Sequence, residues 1–170
     1  MQGFAGVLVF RGSSVLLVNE PDYFTGEPRW TFPSGHMDDG DDPVTTAVRE
    51  VAEESGCILD RSRLDLVAVA DVTQAGTLLN RSWNYTGIAT GSSLRPRQHD
   101  DETVTEADWF SRDDAAALLA RSSYPPKIEP AVRFLSTGER VLKWTFELLD
   151  TSGSSPAFQW DPPTVQDHQQ

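Results

Sequence analysis

The sequence predicts an α+β fold in which pairs of strands precede and follow one amphipathic helix. Two apolar runs near the N-terminus, Phe4–Phe10 and Val15–Val18, are typical of paired strands. Apolar residues recur at helical spacing between Pro43 and Ser55. Two longer runs, Leu64–Thr73 and Thr77–Thr90, predict a second pair of strands. A length of 170 residues is enough for one domain with a substantial core.

The N-terminal strands are separated by a short turn and followed by a long loop. The turn is Arg11–Ser14, and the loop Asn19–Pro28 contains proline, glycine and two aromatic residues. A short strand, Trp30–Pro33, follows this loop. We therefore expect the chain to enter the helical region directly from a strand.

The helix has recognisable signals at both ends. Asp42 is a good N-cap, and Pro43 suits the first helical position, where an N–H is not needed. Gly56 fits the left-handed residue that ends many helices. One apolar stripe runs along the helix between these ends: Val44, Ala47, Val48, Val51 and Ala52.

Three glutamates share another side of the same helix. Glu50, Glu53 and Glu54 lie within an arc of roughly 100°, largely opposite the apolar stripe, with Glu54 at its edge and expected to be partly buried. Like charges at this spacing repel, and the C-terminal half of a helix disfavours anions. A solvated acidic face does not explain that placement. A bound divalent cation would, because hard cations prefer oxygen ligands.

The C-terminal half predicts further strands and helices. Ala75-Gly76 forms the turn between the two long strands, and a strand at Ala107–Phe110 leads into a helix at Arg112–Arg121. A last helix is expected at Pro130–Ser136, and Val141–Leu149 is expected to form an edge strand.

Residues around the acidic helix resemble the Nudix box. The spacing of the motif's residues is that of Gly35, Asp41, Arg49-Glu50-Val51, Glu53-Glu54 and Gly56-Cys57. Two positions depart from the motif: Asp41 replaces a glutamate and Cys57 replaces an aliphatic residue. A buried cysteine behaves as a small hydrophobe, so the second departure is mild. The resemblance covers roughly residues 4–137; we assign 1–150 to a Nudix hydrolase domain and 151–170 to a flexible tail.

The resemblance implies a fold and an activity. The fold is a mixed or antiparallel sheet sandwiched between helices, in three α/β/α layers. The activity is metal-dependent hydrolysis of the diphosphate linkage in a nucleoside diphosphate derivative or a nucleoside triphosphate. Mg²⁺ is the expected cofactor, with Mn²⁺ as an alternative, and the ion would neutralise the phosphates and activate a water molecule.

The resemblance also implies roles for individual residues. The metal ligands are Gly35 through its carbonyl, Glu50, Glu53 and Glu54. Glu53 and Glu54 are also assigned to catalysis, and Arg49 is expected to orient a box glutamate through a salt bridge. A further carboxylate from a downstream loop often completes such sites. Glu102 is the first choice for it, followed by Asp101 and Glu106.

Four aromatic residues are candidates for substrate binding. Tyr23 and Phe24 lie in the loop before the box, and Trp83 and Tyr85 lie on a predicted strand. Any of them could stack on a nucleobase. The alternative for the strand residues is packing within the core. Alternation places Trp83 and Tyr85 on one face, so we expect them to share one role.

Composition limits the partners and the compartment. A net charge of −12 argues against binding to nucleic-acid polymers, which requires a basic surface. The sequence contains no apolar run of membrane-spanning length, and Met1–Phe10 has no basic residue, so we expect neither a membrane span nor a signal peptide. A single cysteine fits the reducing cytoplasm.

Phe158 and Trp160 in the tail could dock on the domain or on a second subunit, which leaves a homodimer open.

Other chemistries are not supported by the sequence. The acidic run Asp38–Asp42 lacks the spacing of an EF-hand loop, and the three histidines lack the spacing of a zinc site. No phosphate-binding loop ending in Gly-Lys-Ser/Thr is present, and Cys57 lacks an evident base. Two alternatives to a nucleotide hydrolase stay open: a Nudix-fold binding or regulatory module without catalysis, and a hydrolase of a non-nucleotide diphosphate.

Overall fold

The computed structural model describes residues 1–91, 93–95, 104–153 and 155–161. Within these residues the chain forms a nine-stranded mixed sheet and three α-helices, which confirms the predicted α+β class. The strands are β1 (Gln2–Arg11), β2 (Ser14–Pro21), β3 (Pro28–Thr31), β4 (Ser34–His36), β5 (Asp65–Gln74), β6 (Thr77–Ile88), β7 (Glu106–Ser111), β8 (Lys143–Asp150) and β9 (Ala157–Gln159). The helices are α1 (Pro43–Ser55), α2 (Arg112–Leu119) and α3 (Pro125–Thr137).

The sheet follows the order β3-β2-β1-β6-β5-β8-β9, with β4 paired to β1 and β7 paired to β2. The pairs β1–β6 and β5–β8 are parallel, and the other pairs are antiparallel. Strand β4 was not predicted from the sequence. It is three residues long and pairs Gly35 with Ala5, which brings the first residue of the box against the centre of the sheet.

The two faces of the sheet pack against different helices. On β1, Ala5, Val7 and Val9 point to one face and pack with Ala47 and Val51 of α1. Leu8 points to the other face, where the core includes Ala115 and Leu119 of α2 and Ile128, Ala131 and Leu135 of α3. The layers are therefore α1, sheet, and α2 with α3, in the α/β/α order that the resemblance implies.

Helix α1 begins and ends where the sequence predicts. The Asp42 side chain accepts a hydrogen bond from Thr45 N at 2.8 Å, and Pro43 occupies the first turn. Gly56 adopts φ 74°, and its N–H donates to the Ala52 carbonyl. The β5–β6 turn is also as predicted. Ala75 and Gly76 both have positive φ, as a tight hairpin between right-twisted strands requires.

Helix α3 begins earlier than predicted. We expected it to start at Pro130, but it begins at Pro125, and Pro130 lies buried inside it. The adjacent prolines Pro125 and Pro126 fill the first turn, where proline costs no hydrogen bond. The strong start signal was therefore this proline pair and not the later proline.

Strand β8 is not the edge strand that the sequence predicted. It lies between β5 and β9, and β9 forms from residues that were expected to belong to a flexible tail. Phe158 of β9 packs edge-on against Tyr124 and Phe146, and Trp160 packs against Phe146. The described tail residues 155–161 thus dock on the domain. No helix among the described residues is long and apolar enough to cross a membrane.

Candidate active site

Two of the three predicted metal-ligating glutamates are buried between α1 and β4. Glu54 is 8% exposed, and its Oε2 accepts a hydrogen bond from Ser34 N at 3.1 Å. Glu50 is 9% exposed, and its carboxylate lies directly against Gly35, so closely that a Cβ at this position would collide with it. With the Glu50 carboxylate in this position, only glycine fits at position 35. Glu53 is more exposed and contacts Arg49.

Arg49 links the carboxylates of the box. Its Nη1 lies 2.8 Å from Glu50 Oε1 and 3.3 Å from Glu53 Oε2. Its Nη2 donates to the His36 carbonyl at 2.9 Å and lies 3.4 Å from Asp38 Oδ2. The guanidinium thus ties the acidic side of α1 to the end of β4. That Arg49 orients a glutamate of the box for metal binding stays a prediction.

Burial dominates the electrostatics of Glu54. Desolvation raises the pKa of this carboxyl well above its usual range, the positive charge of Lys127 opposes the rise, and the negative charges of Glu20 and Glu50 reinforce it. Burial likewise lowers the pKa of Lys127, and the carboxylates of Glu20 and Glu54 oppose this shift only in part. Glu54 and Lys127, from α1 and α3, therefore belong to one electrostatic cluster.

The donor chemistry of the box fits a hard divalent cation. Buried carboxylates that repel one another gain stability from such an ion, and oxygen is the ligand it prefers. The side chains are not already converged: among the described residues no three His, Cys, Asp or Glu side chains are arranged to hold a metal ion. Arg49 Nη1 contacts both Glu50 Oε1 and Glu53 Oε2, so a cation that bound these two oxygens would compete with the guanidinium for them.

A cavity of about 800 Å³ opens beside β4, on the α3 side of the sheet. Ser34, Gly35 and His36 line it at one end, and Asn80, Ser82 and Asn84 of β6 line its floor. The remaining lining residues come from β1, from β2 and the loop after it, and from the start of α3: Gln2, Phe4, Ala5, Glu20, Pro21, Asp22, Tyr23, Phe24, Arg29, Tyr124, Pro126 and Lys127. Because Glu50 and Glu54 contact Gly35 and Ser34, they lie directly behind the β4 end of this cavity.

The family assignment comes from sequence comparison. The NUDIX domain profile matches residues 2–131, from β1 into α3. The chain belongs to the NUDIX family. This match spans the box, the core between α1 and the sheet, and all of the residues that line the cavity.

Solved Nudix structures share the fold of the chain. A NUDIX hydrolase from Nitrosomonas europaea superposes with a TM-score of 0.68 at 16% identity, covering 86% of this chain and 78% of that one. A mutator MutT protein from Bacillus halodurans gives 0.65 at 20% identity over 96% and 100%. An ADP-ribose pyrophosphatase from Streptococcus suis gives 0.58 at 16% over 84% and 97%. Family and fold together support a Nudix hydrolase.

The four aromatic candidates of this Nudix chain separate into two pairs. Tyr23 and Phe24 both line the cavity; Tyr23 is 86% exposed, and Phe24 stacks on Tyr124 with ring centroids 5.9 Å apart. Trp83 and Tyr85 lie on the opposite face of β6, where they pack in the core beneath α1. They share one face, as alternation predicts. Their position favours the packing role over the substrate-binding role.

The remaining candidate residues, the downstream carboxylates and the two positions that depart from the box motif, do not line the cavity where the structure describes them. Glu102 and Asp101 lie outside the described residues. Glu106 is exposed at the start of β7, opposite Asn19 of β2, and does not line the cavity. Asp41 accepts a long hydrogen bond from Thr46 Oγ1 at 3.4 Å, near Arg49. Cys57 is buried in the core, where desolvation raises the pKa of its thiol, as suits a packing residue.

Sequence reasoning missed the residues of the cavity floor and of the start of α3. Asn80, Ser82 and Asn84 alternate along β6, so their common face was readable, but nothing local marks that face as a cavity. The Asn84 Nδ2 atom is buried without a hydrogen-bond partner among the described residues. The Pro125-Pro126 pair was the available signal for Tyr124 and Lys127, because it marks the first turn of α3.

Proposed function

We propose that the chain hydrolyses a diphosphate linkage in a nucleotide derivative, using Mg²⁺ or Mn²⁺. The observation that carries this proposal is the position of Glu50 and Glu54. Both carboxylates are buried against β4, immediately behind one end of a large cavity. Arg49 pairs with Glu50, but desolvation still raises the pKa of Glu54, and a buried carboxyl of this kind suits a site that is completed by a metal ion and an anionic substrate.

The residues that would hold the ion are Glu50, Glu53, Glu54 and the Gly35 carbonyl. A bound divalent ion supplies charge neutralisation of the phosphates and a lower pKa for an attacking water. Arg49 positions the carboxylates on the α1 side through its contacts with Glu50, Glu53 and the His36 carbonyl. Glu53, Glu54 and Glu102 are the candidates for the base that accepts the proton from water.

The cavity floor favours a nucleotide over the other diphosphates. Asn80, Ser82 and Asn84 offer uncharged hydrogen-bonding groups, and Phe24 and Tyr124 offer flat apolar surfaces. A nucleobase needs both of these features. A prenyl chain would leave the amides unpaired, and an inositol phosphate would need more cationic lining than Arg29 and Lys127 provide.

A substrate panel tests the proposal. Phosphate release is measured with Mg²⁺ on nucleoside triphosphates, nucleoside diphosphate sugars, ADP-ribose, dinucleoside polyphosphates, and prenyl and inositol diphosphates. We expect a nucleotide to be preferred, and the Glu53→Gln and Glu54→Gln variants to be strongly impaired. Glu139→Gln is the control, because Glu139 is exposed and pairs only with Arg133 among the described residues.

Three outcomes separate the alternatives. Equal rates for wild type and the Glu53→Gln and Glu54→Gln variants on every substrate would remove the enzymatic function. Saturable binding of a nucleotide without hydrolysis would support a binding module. Preference for a prenyl or inositol diphosphate would show that the chain is a diphosphate hydrolase whose substrate is not a nucleotide.

A further inference from the structure

Lys127 is a cation at an unusual place in the fold. It lies in the first turn of α3, lines the cavity, and has a side chain that is 17% exposed. The chain has two lysines, and the other, Lys143, is exposed on β8. The first turn of a helix is where the macrodipole disfavours positive charge. Both the burial and the position of Lys127 therefore oppose a charged side chain.

Ordinary ion pairing does not account for this placement. Within the part of the chain that the structure describes, the nearest carboxylate contact of the Lys127 ammonium is Glu20 Oε1 at 3.9 Å, which is beyond hydrogen-bond distance. Nζ lies 5.0 Å from the centroid of the Phe32 ring. The neighbouring Arg29 contrasts with it, since it lies 3.1 Å from Asp22 and 3.2 Å from Glu20 and donates to Ser122 at 2.7 Å. Arg29 is therefore hydrogen-bonded within the protein, whereas Lys127 Nζ donates no hydrogen bond to any of the described residues.

The backbone at the start of α3 cannot bind an anion in place of Lys127. Pro125 and Pro126 have no N–H, and the Lys127 N–H donates to the Tyr124 carbonyl at 3.2 Å. The Lys127 ammonium is thus the hydrogen-bond donor that this turn presents to the cavity. Lys127 lines the same cavity as Ser34, whose N–H donates to Glu54 Oε2, so it faces the space where the phosphates would be held.

We propose that Lys127 Nζ binds a non-bridging phosphate oxygen of the substrate, on the cavity side of the diphosphate. This role rests on the proposed function, because it requires a diphosphate held beside Glu54. The phosphates are then neutralised from two directions, from the glutamate side by the metal ion and from α3 by Lys127. Lys127 is a substrate-binding residue and takes part in no bond-making step.

Kinetics of lysine variants test the role. With the best substrate of the panel, Lys127→Met is expected to raise KM roughly 10- to 100-fold, with a smaller effect on kcat. Lys127→Arg should recover part of the loss, because it restores the charge. Lys143→Met is the matched control and should behave as wild type. If Lys127→Met lowers the melting temperature but leaves KM unchanged, Lys127 is only a counter-ion for Glu20 and Glu54, and the proposal fails.

A binding measurement separates this proposal from the proposed function. Calorimetry with inorganic pyrophosphate and Mg²⁺ needs no turnover and no knowledge of the nucleoside. We expect at least tenfold weaker binding to Lys127→Met than to wild type and to Lys143→Met. Equal affinities, or no binding to wild type, would overturn the role of Lys127. Should wild type hydrolyse nothing in the panel yet show this difference in binding, the proposed function fails and Lys127 is retained as a diphosphate-binding residue.

Discussion

The two ends of the cavity are built in opposite ways. One end, called the metal end after the proposed metal site, consists of β4 and α1, with Gly35, Arg49, Glu50, Glu53 and Glu54 all within one short stretch of chain. The recognition end consists of β6, the loop after β2, and the start of α3. Its residues are distant in sequence and meet only because β1 pairs with β6 and α3 packs beneath β1 and β2.

The two ends also differ in energetic terms. The metal end buries like charges, and desolvation raises the pKa of Glu54 well above its usual range. At the recognition end, Arg29 and Asp22 form a short ion pair, and the ring of Phe24 stacks on that of Tyr124. The buried Glu54 carboxylate thus stands to gain from a bound cation, whereas Arg29, Asp22 and Phe24 at the recognition end are already paired within the protein. Mutations at the two ends should therefore differ in their balance between activity and stability.

The largest effect is expected at Glu54. Glu54→Gln should reduce Mg²⁺-dependent hydrolysis by roughly 10²- to 10⁴-fold, because it removes a charged ligand or base. Glutamine still accepts the hydrogen bond from Ser34 N, and it has no ionised form to desolvate. The metal-free variant should therefore be at least as stable as wild type at pH 7, as measured by urea denaturation. A clear loss of stability would show that the Glu54 charge is structural.

The contrast between local and distant residues explains what the sequence could predict. The box, the caps of α1 and the β5–β6 turn depend on neighbours in the chain, and the structure has them where the sequence predicts. The start of α3 was placed at Pro130, although the Pro125-Pro126 pair begins the helix, and Tyr124 and Lys127 were missed because they precede Pro130. The position of β8 depends on β9, which only the tertiary packing of Phe158 and Trp160 explains.

The next effect concerns Gly35. A Cβ at Gly35 would meet the carboxylate of Glu50, the flexible end of a side chain, so the protein can accommodate the methyl by moving Glu50. Gly35→Ala should then lower the free energy of unfolding by at most about 1 kcal/mol. Because Glu50 is displaced, the rate of hydrolysis should fall at least roughly tenfold. At Gly6 a Cβ would meet Phe32, Ser34 and the Pro33 carbonyl, so Gly6→Ala should chiefly lower stability. Gly91→Ala, in open space, should change neither.

A smaller effect is expected from the aromatic residues. Tyr124→Ala should raise KM about tenfold, because it removes a flat surface beside Phe24 that could hold a base. Trp83→Leu, on the opposite face of β6, should lower the melting temperature and leave KM unchanged. If Trp83→Leu instead raised KM without a change in stability, Trp83 and Tyr85 would be substrate-binding residues and not packing residues. Steady-state kinetics and thermal melts of both variants decide the matter.

The last prediction concerns stability and its pH dependence at Asp22, which holds the loop that carries Tyr23 and Phe24. Burial raises the pKa of Asp22, but hydrogen bonds from Phe24 N, Thr25 N and Ser123 Oγ, together with Arg29, outweigh it and leave the pKa below its usual value of 3.8. A carboxyl with a lowered pKa stabilises the fold above its unfolded-state pKa and loses that contribution as pH falls through the folded-state value.

Asp22→Asn should therefore destabilise the protein by about 1–3 kcal/mol at pH 7, and by less below about pH 4, where wild type loses the same charge. Urea denaturation at pH 7 and pH 3 measures both values. Asp39→Asn, at an exposed position, should show no such difference. If the destabilisation by Asp22→Asn were independent of pH, the Asp22 charge would not hold the loop. The recognition end would then depend on its neutral hydrogen bonds and on the packing of Phe24 against Tyr124.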